Sequence, residues 1–408
     1  MIILGIETSC DETAISIIET SGTFPDDFHI DIKSNIVLSQ ILIHKKYGGV
    51  FPALAKREHS KNLVPVFIQA LKEADLYKET TPSTNTLPQI EKTLEREPEM
   101  FEKFKLEITK LEKPKIDAIC FTKGPGLEPA LWVGINFAKA ISEYWQIPAV
   151  SINHMEGHVL VALLQERGAQ NVEHETSEKK SSATRYTLHA LRFPALALLV
   201  SGGHTELILI NDWFDYKKIG ATKDDAIGEA FDKVARILGL PYPGGPEISK
   251  LAEKWRKSNE KGLGIKLPRP MINSKDLDFS FSGLKTAVLY TVQKIENLTE
   301  EIKAEISAEF ENAVVETVIK KTKNAILKFD AKTIILGGGV AANKHLRGNL
   351  QKMSEEENCQ IFIPEINHST DNALMISIAG ALRITKNGFS EEKNTESKAD
   401  GNWSIDKI

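Results

Sequence analysis

The sequence predicts an α/β protein built as two halves on one plan. Residues 2–6, a polar turn over 7–12 and residues 13–18 read as strand, turn, strand, and residues 196–200, 201–205 and 206–210 repeat that pattern. In each half a helical periodicity follows, then a short β-rich run that ends in glycine: 116–121 entering Lys123-Gly124-Pro125-Gly126, and 333–336 entering Gly337-Gly338-Gly339. The 408 residues are enough for two or three domains, and 41% hydrophobic with 26% charged residues is an ordinary globular balance that excludes wholesale disorder. In α/β folds, turns at strand ends are where ligands bind.

The charge and cysteine content narrow the function classes. A net charge of −5 gives no overall positive field, so a nucleic-acid partner has to meet a local basic patch. Lys45, Lys46, Lys56 and Arg57 in the first half, with Lys266, Arg269 and Lys285 in the second, are the candidates for such a patch. Cys10, Cys120 and Cys359 are too far apart for a zinc knuckle or a redox pair and fit a reduced compartment. Residues 1–6 are apolar, but Glu7, Asp11 and Glu12 follow before an export signal is complete, and no run approaches the roughly 18 apolar residues of a membrane helix. The expected location is the cytoplasm, with no membrane partner.

Along the chain, residues 1–150 with 372–395 form the expected first half, and residues 151–371 the second, with the nucleotide pocket. Two stretches look like additions. Residues 79–115 open with a Thr, Ser, Pro and Asn cluster and continue as a charged helical run in which Phe101, Phe104, Ile108 and Leu111 make one stripe. Residues 166–187 are polar and poor in bulky apolar side chains. Both are expected at the periphery, and the tail 396–408, with only Trp403 and Ile405 to anchor it, is expected to be disordered.

Four elements of the second half read together as a nucleotide pocket. Gly337-Gly338-Gly339-Val340-Ala341-Ala342-Asn343 joins a β-rich run to a helix, so a ligand can approach its backbone and meet helix N–H donors. Leu199-Val200-Ser201-Gly202-Gly203-His204-Thr205 is a small-residue turn suited to an anion, or else a plain glycine-bulged hairpin. Asp232 adds a carboxylate, and Pro243-Gly244-Gly245-Pro246 a rigid loop.

His154 and His158, at i and i+4, share one helix face at metal-bridging distance. Glu156 lies two residues after the first histidine and points away from both, so this is not the zinc-protease H-E-x-x-H pattern. A further ligand could be Asp371 or His368, and Asp371 could equally cap the apolar helix that follows it. Residues 7–13, Glu-Thr-Ser-Cys-Asp-Glu-Thr, put three carboxylates and three hydroxyls into the first hairpin turn, as a cleft-facing site or as a solvated turn.

These pieces in order, GIETSCDET, HKKYGGVFPALAKREH, TKGPGL, HMEGH, LVSGGHTEL, GEAFDK, YPGGP, DFSFSGLK, GGGVAAN and STDNALMI, resemble the tRNA threonylcarbamoyladenosine transferases of the bacterial TsaD type. The resemblance runs over nearly the whole chain and omits 79–115 and 166–187. It departs at Leu127-Glu128-Pro129-Ala130-Leu131-Trp132, where the family usually has smaller residues.

The resemblance implies a duplicated fold of the actin, Hsp70 and sugar-kinase type, which is ribonuclease H-like, with a cleft between halves. It implies transfer of the threonylcarbamoyl group of threonylcarbamoyl-AMP to N6 of adenosine 37 in tRNAs reading codons that begin with A. It carries over His154, His158 and Asp371 as ligands of one divalent ion per subunit, iron or zinc. It carries over Leu199, Val200, Ser201, Gly202, Gly203, Asp232, Gly245 and Asn343 as substrate contacts. Its partners are tRNA, an inactive paralogue of the TsaB type and a small ATPase of the TsaE type. For the proton lost from N6, the turn holding Asp11 and Glu12 is the favoured acceptor. A metalloprotease, or a kinase or chaperone of the same fold, is the competing reading.

Overall fold

Strand β1 (Ile2–Glu7) is buried along its whole length, as an apolar run covered on both faces must be. The computed structural model in which it sits describes residues 1–82, 85–166, 185–258, 261–389 and 397–408. β1 pairs antiparallel with β2 (Glu12–Thr23), and β2 with β3 (Asp27–Ser39). On its other edge β1 pairs parallel with β4 (Ala118–Gly124), and β4 with β5 (Ala149–Asn153). Two short strands, β6 (Leu164–Glu166) and β7 (Arg185–Leu188), extend the sheet past β3.

A second sheet is built from β8 (Ala195–Val200), β9 (Thr205–Asp212), β10 (Asp215–Ala221), β11 (Thr333–Gly337) and β12 (Gln360–Phe362). Its order is β10-β9-β8-β11-β12, with β9 antiparallel to both β8 and β10, and β11 parallel to both β8 and β12. The first sheet carries β3-β2-β1-β4-β5 with the same directions. Both sheets therefore follow one plan, the α/β duplication predicted from the paired hairpins.

The chain divides into one unit of Met1–Gln40, Val50–Ala190 and Asp371–Ile408, and another of Ile41–Gly49 and Leu191–Thr370. Helices in chain order are α1 (Ile41–His44) in the second unit, then α2 (Pro52–Glu73), α3 (Leu87–Thr93), α4 (Pro98–Glu107), α5 (Glu128–Trp145) and α6 (His154–Val161) in the first. The second unit holds α7 (Ile227–Ile237), α8 (Gly244–Lys257), α9 (Ser282–Gln293), α10 (Glu300–Phe329), α11 (Lys344–Glu356) and α12 (Ile366–Ser369). The chain then returns to the first unit with α13 (Ala373–Asn387).

The sequence reading closed the first half at residue 150, whereas β5 and α6 group with the first unit. The reason is physical: β5 adds to the β4 edge and α6 packs on α13. α13 lies directly on β1, where a Cβ at Gly5 would come 2.5 Å from Ala373 O, and one at Gly380 would overlap Cys120 Sγ. Glycine at both positions permits that approach.

Residues 79–115 are not peripheral. Ile90, Leu94, Met100, Phe104, Ile108 and Leu111 join the core formed by α2, α5 and β1, and buried Glu97 accepts Asn136 Nδ2 at 3.0 Å. Phe101, the other member of the stripe, packs at the edge of this core. Of 166–187, residues 167–184 lie outside the described residues. The tail is also placed, in 397–408: Gly126 N donates to Gly401 O (3.2 Å), Asp400 N to Lys123 O (3.0 Å) and Asn153 Nδ2 to Trp403 O (2.9 Å), and Ile405 is buried.

Candidate functional site

Helix α6 begins where Asn153 Oδ1 accepts the Met155 and Glu156 amides at 2.9 and 3.2 Å, and every residue of the helix is buried. That start puts His154 in its first turn and His158 one turn later, with the rings 4.8 Å apart and nearly perpendicular. Asp371 precedes α13, whose cap is Asn372, accepting Met375 N at 3.1 Å. The cap is thus supplied by the neighbour and Asp371 is left for the histidines. Its Oδ1 lies 3.0 Å from His158 Nε2 and 3.4 Å from His154 Nε2. His368, the other candidate ligand, is placed in α12 instead, 4.0 Å from Glu365.

Two imidazole nitrogens and one carboxylate oxygen, all within 4.8 Å of one another, are a donor set suited to a divalent transition ion. Beyond the donors, Glu7 fixes His154 from behind, its Oε2 3.0 Å from Nδ1, while Ser9 Oγ stands 3.2 Å from the same nitrogen. Among the described residues His158 Nδ1 is buried with no hydrogen-bond partner, so the hydrogen bond that orients that ring is made at Nε2.

Burial disfavours charge on His154, but the Asp371 and Glu7 carboxylates outweigh it and lift the imidazole pKa well above its ordinary value. Burial likewise opposes the Asp371 carboxylate, and His154 and His158 hold it far below the usual range nonetheless. The site is electrostatically made for a cation.

Glu7, one of the three carboxylates of the 7–13 turn, and His59, which the spacing does not single out, brace the histidine pair and that turn. Glu7 ends β1, fully buried, and also accepts Thr122 Oγ1 at 2.6 Å and the Ser9 amide. His59, buried on α2, lies 3.0 Å from Cys10 O and 2.8 Å from Thr13 Oγ1, so it braces the 7–13 turn. The only signal for His59 was its place in HKKYGGVFPALAKREH. Asp11 is buried and Glu12 half-buried in the same turn. Burial, then the charges of Asp11 and Asp371, push the Glu12 pKa well up.

In the second unit a cavity of about 660 Å³ is lined by Gly228, Gly245 and Gly339 together with Phe231, Val340 and Asn343. Gly228 N donates to Ser201 O at 3.1 Å, and Gly338, at φ 89°, approaches the Val200 carbonyl so closely that a Cβ would sit 2.4 Å from it. The predicted glycine turns therefore converge. Lys250, Arg256, Lys257 and Lys344 stand at the cavity wall together with Glu253 and Glu311, and Arg256 is paired with Glu311 and Lys257 with Glu253.

The individual residues differ in role there. Gly245 faces the cavity directly. Asp232 accepts Gly244 N at 2.7 Å and so fixes the start of α8, while burial, only partly offset by the Gly244 and Gly245 amides, raises its pKa. Asn343 lines the cavity, but its amide is engaged: Oδ1 caps α11 at Leu346 N (2.8 Å), and Nδ2 donates to Glu311 Oε1 (2.6 Å) and Ser249 Oγ (2.9 Å). Leu199 and Val200 are both buried, Val200 in the core of the second unit, whereas Ser201 Oγ accepts the His204 amide at 3.0 Å and leaves Gly202 and Gly203 exposed. Of the proposed basic patch, Arg269 is committed to Glu309 and Glu316.

The model of the family described as TsaD, tRNA N6-adenosine threonylcarbamoyltransferase, matches residues 31–81, 95–172 and 178–378. Proteins of that name are 42% identical in Thermosipho africanus, over 97% of this chain and 98% of that relative, and 39% identical in Bacillus subtilis, over 95% and 91%. Among solved structures, T. kodakarensis HypF aligns with a TM-score of 0.48 at 12% identity, over 94% of this chain and 48% of that one. With a family match across most of its length and relatives near 40% identity end to end, the chain belongs to the TsaD family.

Proposed function

We propose that this protein is an acyltransferase that moves the threonylcarbamoyl group from threonylcarbamoyl-AMP to N6 of adenosine 37 in tRNAs reading codons that begin with A. The observation that carries the reading is that the matched span contains both the His154, His158 and Asp371 set and the glycine-lined cavity. The N6 lone pair of adenine is delocalised into the ring, so the acceptor is weak and the donor must be a strongly activated acyl group. In the transfer the N6–C bond forms, the bond from the carbonyl carbon to the phosphate oxygen breaks, AMP leaves and one N6 proton is lost.

The cavity of the second unit takes the adenylate, with Gly245 and Gly339 offering backbone and the α8 start, held by Asp232, offering amides. Asn343 sets the cavity wall through Glu311 and Ser249. His154, His158 and Asp371 would hold a divalent ion, iron or zinc, which would supply Lewis-acid chemistry when bound. Asp11 is the proposed acceptor of the N6 proton. Glu12 shares its turn and is the second carboxylate of the proposed acceptor pair.

Adenosine 37 lies in a single-stranded loop, so the base can be presented without opening a duplex. The acidic total charge favours help from protein partners, an inactive paralogue and a small ATPase. The proposed location is the cytoplasm; no helix among the described residues is long and apolar enough to cross a membrane.

A protease reading is disfavoured by Glu156, the only carboxylate of HMEGH, which is buried and bound at both oxygens by Arg383. The deciding experiment is mass analysis of nucleosides from tRNA incubated with the protein, its partners and threonylcarbamoyl-AMP. Threonylcarbamoyladenosine is expected at position 37; none above a protein-free control overturns the reading.

A further inference from the structure

We propose that the buried Glu156–Arg383 pair is the positioning device of the metal centre, setting the rotation of α6 and its height along α13 so that both imidazoles meet Asp371. The proposal rests on the reading of His154, His158 and Asp371 as metal ligands. At 3.6 residues per turn, Glu156 is about 200° round the helix from His154, and His158 only about 40° from it. The carboxylate therefore leaves α6 on the side opposite the ligands.

There it meets Arg383, whose Nε and Nη2 donate to Glu156 Oε2 and Oε1 at 2.6 and 2.8 Å, while Glu156 is fully buried. Arg383 is on α13, about three turns after the Asp371 that precedes that helix. The two elements that bear ligands are thus fastened to each other twice, once through the Asp371–histidine contacts and once through the fork. Gly157 lets them close up: a Cβ there would lie 3.0 Å from Met375 Cγ.

A buried ion pair contributes little net stability compared with apolar residues of the same volume, so stability alone gives no reason for it here. What a two-bond fork adds is angle. One hydrogen bond leaves a helix free to roll; two parallel ones do not, and only arginine offers them in a rigid plane. An eight-residue helix with two ligands in adjacent turns is sensitive to roll, since a small rotation carries one Nε2 away from Asp371 as it brings the other nearer.

The test uses the full chain with cobalt(II) as the probe, read by chelator competition, by visible absorption of the bound ion and by a thermal melt. For Glu156→Leu/Arg383→Met, a volume-matched apolar pair, the melt is expected to stay close to that of the parent. Its cobalt affinity is expected to fall about tenfold or more, with a changed visible band. Arg383→Lys, which keeps the charge and loses the fork, is expected to show a smaller loss in the same direction. Parent-like affinity and spectrum in the double variant overturn the proposal; if that variant does not fold, Arg383→Lys decides by the same criterion. A parent protein that fails to bind cobalt removes the metal reading itself, and this proposal with it.

Discussion

His158 has a single polar contact, to Asp371, and it is the residue whose loss isolates the centre most cleanly. His158→Ala is expected to lose most of the bound metal, measured by elemental analysis, while the remaining residues of α6 keep the helix in place. Stoichiometric metal in that variant would remove the assignment. Asn343→Ala is expected to lose about 1 kcal/mol of stability through its helix cap and to weaken binding of an AMP-containing ligand, because Glu311 is then left facing the cavity without that donor. Asp232→Ala should weaken the same binding by loosening the start of α8. Calorimetry and melting on the two variants separate these effects, and unchanged affinity in both sinks the pocket map.

Spacing made His154 and His158 legible, since i and i+4 on any helix share a face. Glu7 was not legible as their support. Its contact with His154 depends on β1 and α6 being neighbours across residues far apart in sequence, and nothing local in GIETSCDET distinguishes it from Asp11 or Glu12.

Among the elements, α3 and α4 show where composition misleads. Residues 82–97 look dispensable because they are polar, yet Ile90, Leu94 and Glu97 within them are buried. Deleting this stretch is expected to destabilise the first unit, and Phe104→Ala alone should cost about 3–5 kcal/mol, read by denaturant titration. An unchanged midpoint for Phe104→Ala would mean that α4 adds nothing to the core.

A second element-scale prediction concerns α10, whose Glu305 accepts the Leu263 and Ile265 amides and whose Glu309 accepts the Leu267 amide and Arg269. Burial opposes the Glu309 carboxylate, but Arg269 and the Leu267 amide hold its pKa below the ordinary value. A group lowered in the folded state contributes stability that is present above its unfolded pKa, about 4.3, and is lost as pH falls through the folded one. Melting temperature should therefore drop more steeply with acid in the parent than in Glu309→Gln. Parallel acid limbs would show that the carboxylate is not linked to folding.

For the whole molecule, the duplicated plan could be read from the two hairpins, because the local strand-turn-strand pattern carries most of each sheet. The return of the chain after Thr370 could be read as well, since residues 372–395 were expected in the first half; the end of the first stretch could not, because it turns on which edge β5 joins. Removing metal from the intact protein is expected to lower its melting temperature, as loss of any ligand bound only by the folded state must. Equal melts with and without chelator would indicate that the ion leaves folding untouched.

That return of the chain has a bearing on biosynthesis. β1 emerges from the ribosome first, but the helix that covers it, α13, is made some 370 residues later. At roughly 5–20 residues per second the strand waits on the order of 20 to 70 s with its Gly5 face bare. His158 precedes Asp371 by 213 residues, so a chain terminated between them has both histidines but not the carboxylate that completes the candidate ligand set. A variant truncated before Asp371 is therefore expected to hold less of a divalent ion than the full chain, which elemental analysis of the two would show.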